Sequence, residues 1–194
     1  VRVRHRAIGV NFVDTYFRSG LYAWPTEGPL TPGAEGAGVV EEVGAGVGRL
    51  RPGDRVAYIM PVGAYATHRN LPDDRLVKIP DGVSDEVAAA VMVKGLTAHY
   101  LLFRTFPVKQ GHTILYHAAA GGVGSLLGQW AAHLGATVIG TVGSDAKAEV
   151  ARAHGYHHVI NYEKEDFVAR VREITGGQGV EVVYDSVGQK TYPA

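Results

Sequence analysis

The chain has 194 residues, with 19 Lys and Arg against 19 Asp and Glu, so its formal net charge is zero. This balance argues against a nucleic-acid binder and against a polybasic membrane-binding module, because both depend on excess positive charge. Cysteine is absent, which excludes disulfides, thiolate zinc sites and cysteine nucleophiles. The 26 glycines are about twice the usual share and indicate tight turns and close approach of ligands to the backbone.

Targeting signals are not found in the sequence. It contains no run of 18 apolar residues, as a membrane-spanning helix needs, and no signal peptide. We therefore expect a cytoplasmic protein that binds neither membrane nor nucleic acid. The chain begins without Met, inside a strand-like alternation from Val1 to Val10, and we expect it to be part of a longer protein.

The first 80 residues predict a small antiparallel barrel or sandwich. Short runs of strand-forming residues alternate with turn signals rich in Gly, Pro and Asp. The runs are Val39–Val43, Arg55–Met60 and Leu76–Ile79, and the turns are Pro32-Gly33, Gly44–Gly48 and Pro52–Asp54. This pattern is typical of small all-β domains.

After residue 80, helices and strands alternate. Two helices are predicted over Ser84–Met92 and Leu96–Phe106, and they are followed by strands at Thr113–His117, Thr137–Val142, Val159–Tyr162 and Val180–Asp185 with helices between them. The alternation predicts an α/β protein with a doubly wound parallel sheet. Four strands are fewer than a complete dinucleotide-binding sheet has, so we expect an incomplete Rossmann sheet. We place the two domains at residues 1–90 and 91–194.

A glycine-rich motif, Ala119-Ala-Gly121-Gly-Val-Gly124, follows the first of these strands and opens a helix. Glycines at such a turn let a pyrophosphate approach the backbone above the helix N-terminus, where free N–H groups favour anions. The first position is Ala119 rather than Gly, and an ordinary glycine-rich turn is the alternative. The surrounding β-α-β-α-β pattern favours dinucleotide binding, with Gly121, Gly122 and Val123 at the cofactor.

The end of the second nucleotide strand favours NADPH over NADH. NADH-binding folds usually place an acid there to bind the ribose hydroxyls. Here Gly143 and Ser144 follow the strand, and Asp145 comes late, in the first turn of the next helix. Ser144 and Lys147 are suited to bind a 2′-phosphate together with Gly143, and Tyr162 adds a hydroxyl. The alternative is that Ser144 is only an N-cap and Lys147 a solvated helix residue.

Several motifs act together as a family signature. The chain resembles the NADPH-dependent quinone oxidoreductases, the zeta-crystallin-like branch of the medium-chain dehydrogenase/reductase superfamily. The resemblance implies a GroES-like β-barrel before the Rossmann domain, residues missing at both ends, and a homodimer. Its motifs are Asn11-x-x-Asp14-x-x-x-Arg18-x-Gly20-x-Tyr22, Pro32-Gly-Ala-Glu35-Gly-Ala-Gly38, Pro52-Gly-Asp-Arg-Val56, Lys94-Gly-Leu-Thr97, His117-Ala-Ala-Ala-Gly-Gly-Val-Gly124 and Tyr184-Asp-Ser-Val-Gly188.

The resemblance also indicates that zinc is absent. Zinc-dependent relatives place their ligands where this chain has Asn11, Ala34 and Val93, none of which has a coordinating side chain. We therefore expect no metal. Without a Lewis acid, hydride transfer favours an acceptor that delocalises charge, such as a quinone or a conjugated carbonyl compound.

By resemblance, Asn11, Tyr16 and Tyr22 surround the substrate and the nicotinamide. Asn11 is suited to bind a carbonyl oxygen, and a tyrosine to donate a proton or stack on a flat ring. The alternative for both tyrosines is packing in the core. Asp14 is placed at the cofactor, with local structural pairing as the alternative.

The helix before the first nucleotide strand carries further candidates. By resemblance, Thr97 and Tyr100 approach the ribose and the nicotinamide. Lys94 either neutralises phosphate or faces solvent, and Glu35 orders the barrel. The resulting prediction is NADPH-dependent, zinc-independent quinone reduction. The alternatives are an enone or alkenal reductase of the same fold and a non-catalytic, crystallin-like NADPH-binding protein.

Overall fold

A computed structural model describes residues 1–24, 28–189 and 191–192 of the chain. The chain divides into two compact units, Val1–Val93 and Lys94–Ala194. The first contains an antiparallel sheet and the second a parallel sheet, which confirms the predicted α/β fold class. The predicted domain boundary between residues 90 and 91 lies inside a helix and stays a prediction.

The first unit is built on a five-stranded antiparallel sheet with the order β4-β1-β2-β3-β5. Its core is formed by alternate strand residues such as Val3, Val40, Val56 and Tyr58, all 0–1% exposed. Alternation puts these side chains on one face of the sheet. The elements are β1 (Arg2–Gly9), α1 (Phe12–Arg18), β2 (Glu35–Glu42), β3 (Arg55–Ile59), β4 (His68–Asn70) and β5 (Val77–Lys78), with a 3₁₀ turn at Asp73–Arg75.

The short helix α1 was not predicted from the sequence. It begins after Asn11, whose backbone N–H donates a 2.9 Å hydrogen bond to Asp14 Oδ2. This carboxylate satisfies an N–H group at the start of the helix that has no intrahelical partner. The helix places the candidate residues Asp14 and Tyr16 three and five positions beyond Asn11.

The second unit is built on a four-stranded parallel sheet with the order β8-β7-β6-β9. The order follows from a Rossmann-type winding in which β6 is central and the chain crosses from β8 to β9. The elements are α2 (Asp85–Tyr100), β6 (Thr113–His117), α3 (Gly122–His133), β7 (Thr137–Val142), α4 (Asp145–Ala153), β8 (His158–Asn161), α5 (Phe167–Ile174) and β9 (Val182–Tyr184).

Both faces of the parallel sheet are covered by helices, as such sheets require. Ile114 and Val138 are fully buried on the face that α3 and α4 cover, where Leu127 is the largest buried helix residue. Ile139 and Ile160 are buried on the opposite face with α5. The carboxyl ends of the strands are therefore held in a fixed arrangement.

The predicted break between two helices at residues 93–95 is wrong, because α2 runs without interruption through Gly95. A glycine inside a helix costs only about 1 kcal/mol, and burial further along the helix offsets this cost. Ala98 and Leu102 are 0% exposed in the core of the second unit. A short π-helical segment, Leu101–Thr105, continues α2.

The stretch Asp85–Thr105 is long and apolar enough to cross a membrane, on length and composition alone. A search for consecutive apolar residues does not find it, because polar residues such as Lys94 interrupt the run. The buried side chains of Ala98 and Leu102 belong to the core around the parallel sheet. These two residues of the stretch therefore contribute to that core.

Candidate cofactor and substrate sites

The glycine-rich loop joins β6 to α3 in the predicted strand–turn–helix arrangement. Ala118 has a φ of 62°, the left-handed region that residues with a side chain rarely adopt. This conformation turns the chain sharply, and Gly121 N–H donates to Ala118 O over 2.9 Å. Gly121 is then the N-cap of α3, so the free N–H groups of the first helical turn face the loop.

Two close contacts explain the glycines of this loop. A Cβ on Gly124 would lie 2.5 Å from Ala119 O, and a Cβ on Gly122 would lie 2.9 Å from Lys94 Cδ. The aliphatic stem of Lys94 therefore runs along the loop, which places a cation at the N-terminus of α3. Free N–H groups, a helix dipole and a lysine suit a pyrophosphate, so the residues present fit a dinucleotide.

Tyr156 supports the loop from the sheet side. Its hydroxyl donates a 2.9 Å hydrogen bond to Gly124 O, and burial strongly raises its pKa. Its ring fills the space beside Gly128 and Gly140, where an added Cβ would meet it at less than a normal contact distance. The role of this tyrosine could not be predicted from the sequence, because nothing in the local pattern separates it from an ordinary core residue.

The turn after β7 brings three of the predicted 2′-phosphate residues together. The Tyr162 hydroxyl lies 2.7 Å from the point that a Cβ on Gly143 would occupy. Ser144 is the N-cap of α4, and its Oγ accepts a 3.3 Å hydrogen bond from Lys147 N. The N-cap alternative for Ser144 is thus present in the structure, and the exposed Lys147 side chain starts from the same helical turn.

Asp145 is the acid that follows β7 later than NADH-binding folds place it. Its side chain is held by residues at and just after the end of β8. Its carboxylate accepts hydrogen bonds from Asn161 Nδ2 over 2.9 Å and from Lys164 Nζ over 2.5 Å. These two donors, Lys164 first, hold the pKa of Asp145 below its usual range. Neither donor was among the residues predicted from the sequence, since they stand 16 and 19 positions away along the chain.

Two further predicted cofactor residues, Thr97 and Tyr100, lie on α2, whereas Asp14 lies on α1. Thr97 and Tyr100 follow Lys94 at intervals of three, so the helix places the three along one side. Tyr100 is about half exposed. It lies near Tyr116, whose pKa is raised to about 12 by burial and, to a lesser extent, by Tyr100.

In the first unit, Asn11 is fixed by two buried carboxylates. Its backbone N–H donates to Asp14 Oδ2, and its Nδ2 donates to Glu35 Oε1 over 2.8 Å. The second oxygen of Glu35 accepts from Val93 N over 2.6 Å. Asp14 is 5% exposed and Glu35 is 0% exposed, and no side chain larger than Gly fits beside Glu35 at position 9.

These contacts do not fit a zinc ion. The positions that the resemblance assigns to zinc ligands hold an amide, a methyl group and a valine, at Asn11, Ala34 and Val93. Asn11 and Val93 offer hydrogens to Glu35 rather than lone pairs to a metal. Within residues 1–24, 28–189 and 191–192, no group of three or more His, Cys, Asp or Glu is arranged to hold a metal ion.

The two candidate tyrosines touch each other. The rings of Tyr16 and Tyr22 meet edge-on with 5.4 Å between their centroids, and Phe17 contacts Tyr22 at 5.7 Å and Trp24 at 5.6 Å. Tyr22 is 49% exposed, so half of its surface is open to a ligand. These edge-to-face contacts fix the two tyrosines against each other at α1 and leave part of Tyr22 exposed.

Asn11, Asp14 and Glu35 form a hydrogen-bonded group, the Asn11 cluster, to which Tyr65 also belongs. Tyr65 was not predicted from the sequence. Its hydroxyl donates a 2.9 Å hydrogen bond to Asp14 Oδ2. Burial, followed by the carboxylate of Asp14, raises the pKa of Tyr65 to about 12. Asp14 Oδ1 is buried without a hydrogen-bond partner among the described residues, which leaves an acceptor for a donor group.

Comparisons with known proteins agree with this architecture. The alcohol dehydrogenase GroES-like domain family matches residues 1–81, and the zinc-binding dehydrogenase family matches residues 122–194. A quinone oxidoreductase from Pseudomonas aeruginosa is 55% identical over 193 residues, which are 99% of this chain and 59% of the relative. The chain belongs to the medium-chain dehydrogenase/reductase superfamily. The resemblance found in the sequence is confirmed.

Other members of the superfamily show the same extent of similarity. A 2-haloacrylate reductase from a Burkholderia species is 53% identical over 98% of this chain and 59% of its own. The quinone oxidoreductase of Pseudomonas syringae pv. tomato has a TM-score of 0.94 at 56% identity, covering 100% of this chain and 59% of that one. Escherichia coli quinone oxidoreductase, solved with NADPH, has a TM-score of 0.94 at 49% identity, covering 99% and 59%. The chain thus spans about three-fifths of these relatives.

Proposed function

We propose that this chain carries the NADPH-binding part, and a share of the substrate site, of a quinone oxidoreductase that works without zinc. The glycine loop is the observation on which the proposal rests most. Its Gly121–Gly124 turn, the N-terminus of α3 and the stem of Lys94 form an anion cradle that larger side chains would fill. Relatives named as quinone oxidoreductases at 50–55% identity supply the reaction class.

NADPH, when bound, supplies the hydride. The chain's own residues bind and orient it. Gly122 and Val123 hold the pyrophosphate through backbone N–H groups. Gly121, whose own N–H is bound to Ala118 O, lets the pyrophosphate approach the backbone. The 2′-phosphate lies at the turn after β7, and the ribose and nicotinamide lie along α2. The residues concerned are Gly143, Ser144, Lys147 and Tyr162 for the phosphate and Thr97 and Tyr100, with Asp14, for the ribose and nicotinamide.

The substrate binds at the Asn11 cluster. Because Asn11, Ala34 and Val93 do not fit a zinc ion that would polarise an isolated carbonyl, the acceptor must spread the incoming charge over its own conjugated system. Asn11, oriented by Glu35, is directed at a carbonyl oxygen. Tyr16 and Tyr22 stack on the flat ring or donate a proton. A quinone meets these requirements.

The second candidate is reduction of a conjugated carbonyl compound, an enone or an alkenal. It is favoured by one observation, the 53% identity to a 2-haloacrylate reductase, whose name indicates a conjugated acid as substrate. The site described above accepts either acceptor, because both delocalise negative charge. A non-catalytic role as an NADPH-binding protein is the remaining alternative.

The partners and the location of the protein complete the proposal. We infer a zinc-free cytoplasmic enzyme that acts on a small molecule, binds neither nucleic acid nor membrane, and forms a homodimer. The domain assignment in this proposal is residues 1–90 for the GroES-like part and 91–194 for the Rossmann part.

The test is a titration of the complete protein with NADPH and with NADH, followed by steady-state assays on quinones and on conjugated enones, including 2-chloroacrylate. We expect tighter binding of NADPH and a higher kcat/KM for quinones. Preference for NADH would overturn the cofactor, and higher kcat/KM on enones would favour the reductase alternative. Binding of NADPH without turnover of either class would favour the non-catalytic alternative.

A further inference from the structure

The turn after β8 is built around one buried side chain. Asn161 is 6% exposed, and its backbone oxygen accepts hydrogen bonds from Lys164 N over 2.9 Å and Glu165 N over 3.0 Å. Its Oδ1 accepts from Glu163 N over 3.2 Å. The turn that carries Tyr162 and Lys164 is therefore ordered by Asn161.

The same asparagine ties this turn to the start of α4. Its remaining polar group, Nδ2, donates to Asp145 Oδ1. Asp145 is the residue directly after Ser144, so the bond holds the ends of β7 and β8 together. It also keeps Tyr162 beside Gly143. Asp145 thus connects the two strand ends at the place where the 2′-phosphate is proposed to bind.

The carboxylate of Asp145 places a negative charge next to the proposed phosphate site. This carboxylate, one residue beyond Ser144, repels a 2′-phosphate. The repulsion is modest because both charges lie at the surface, where solvent and salt screen them. The Lys164 ammonium lies 2.5 Å from Asp145 Oδ2. It cancels this charge while Asn161 retains the other carboxylate oxygen.

We propose that Lys164 is a specificity-determining residue that acts through Asp145. By neutralising this carboxylate it permits a phosphorylated ribose at Gly143, Ser144 and Lys147, and so favours NADPH over NADH. The inference rests on the proposed cofactor. Lys164 is a positioning and charge-compensating residue here, because its Nζ is bound to Asp145, whereas the exposed Lys147 is the cation proposed to bind the phosphate.

The experiment is a double-mutant cycle on the complete protein. Dissociation constants for NADPH, NADH and the redox-inactive 2′,5′-ADP are measured calorimetrically for Lys164→Ala, Asp145→Asn and the pair of substitutions together. Asp145→Asn removes the charge and keeps an oxygen for Asn161. The matched control is Lys109→Ala. Lys109 is exposed and precedes β6, so it lies at the amino ends of the strands, away from the proposed phosphate site.

We expect Lys164→Ala to weaken NADPH and 2′,5′-ADP about fivefold and to leave NADH unchanged, in line with the size of exposed charge interactions. In the Asp145→Asn background the same substitution should change NADPH affinity by less than about twofold, because the charge it compensated is gone. Lys109→Ala should change nothing. Added salt should reduce the fivefold effect.

Two results would overturn the inference while leaving the cofactor intact. One is an equal loss from Lys164→Ala in both backgrounds, since Lys164 would then contact the phosphate itself. The other is an unchanged ratio of NADPH to NADH affinity in Lys164→Ala. If the unaltered protein binds NADPH no better than NADH, the proposed cofactor fails and this inference fails with it.

Discussion

The side-chain amide of Asn11 donates a 2.8 Å hydrogen bond to the buried carboxylate of Glu35. The second carboxylate oxygen of Glu35 accepts a hydrogen bond from the backbone N–H of Val93. The two donors come from the start of α1 and from α2, so one fully buried acid joins both helices to β2. This arrangement occupies the place where the resemblance puts a metal in other members of the superfamily.

Replacement of Glu35 by Ala should lower the free energy of unfolding by about 2–4 kcal/mol, because two partly buried donors lose their buried acceptor. Urea titration of the complete protein measures this. The matched control is Glu42→Ala, since the Glu42 side chain is 71% exposed and forms an ion pair with the partly exposed Arg2 at 3.6 Å. That substitution should cost less than about 0.5 kcal/mol. Equal effects of the two would show that Glu35 is not a structural centre.

Replacement of Gly140 by Ala should destabilise the second unit by about 1–3 kcal/mol. The added methyl group would be forced into the ring of Tyr156 and the methyl group of Ala119, and overpacking of this kind carries such a cost. The thermal unfolding temperature reports it. Gly44→Ala is the control, because nothing lies within 4 Å of a Cβ at Gly44, and its unfolding temperature should not fall.

Ser144→Ala should lower both the stability of the protein and its affinity for NADPH. The control variant Asp166→Ala should lower the stability alone. Both residues are N-caps, Ser144 for α4 and Asp166 for α5, and loss of either costs about 1 kcal/mol. Only Ser144 belongs to the proposed 2′-phosphate site. NADPH affinity measured beside stability should therefore fall for Ser144→Ala and stay constant for Asp166→Ala. A fall for both would attribute the change to stability alone.

The stability of the protein should decline as the pH falls below 6.5. Burial lowers the pKa of His117 below 6.5, although Asp185 opposes the shift. The unfolded chain then binds a proton more readily than the folded protein. The contribution of His117 is constant above pH 6.5 and is lost below it, down to the folded pKa. Carboxylates with lowered pKa, such as Asp145, act only below about pH 4.

Unfolding free energies at neutral pH and at about pH 5 test this. His117→Asn should reduce the slope, and the remainder belongs to His5, whose pKa burial also lowers. Thr141→Val removes the 2.8 Å contact of Thr141 Oγ1 with His117 Nδ1 but keeps the buried imidazole. It should keep the slope. A slope that persists in His117→Asn and disappears in Thr141→Val would refute the assignment.

Much of the fold could be predicted because its signals are local. Strand alternation, turn residues and the glycine loop each depend on neighbours in sequence. The helix α1 was missed because its seven residues are too few to show a helical period, although the Asn11-x-x-Asp14 spacing is a capping signal. The predicted break in α2 is wrong because burial of Ala98 and Leu102 offsets the low helix propensity of Gly95, and burial is a tertiary effect.

The candidate site was less predictable where it depends on distant pairs. Gly143, Ser144 and Tyr162 could be named because strand ends meet at one edge of a parallel sheet. The roles of Tyr65 and Lys164 arise from contacts with Asp14 and Asp145, 51 and 19 positions away. No periodicity or spacing rule links such residues, so they become visible only when the backbone is folded.

The Tyr156 ring and the glycines at 128 and 140 share one small volume under the nucleotide loop. Sequence divergence at these three positions should therefore be coordinated. A methyl group gained at position 140 or 128 becomes tolerable only when the side chain at 156 shrinks, and a smaller residue at 156 gives up the hydroxyl that holds Gly124 O. Evolutionary paths that enlarge either glycine first pass through a less stable protein, whereas paths that change position 156 first loosen the loop.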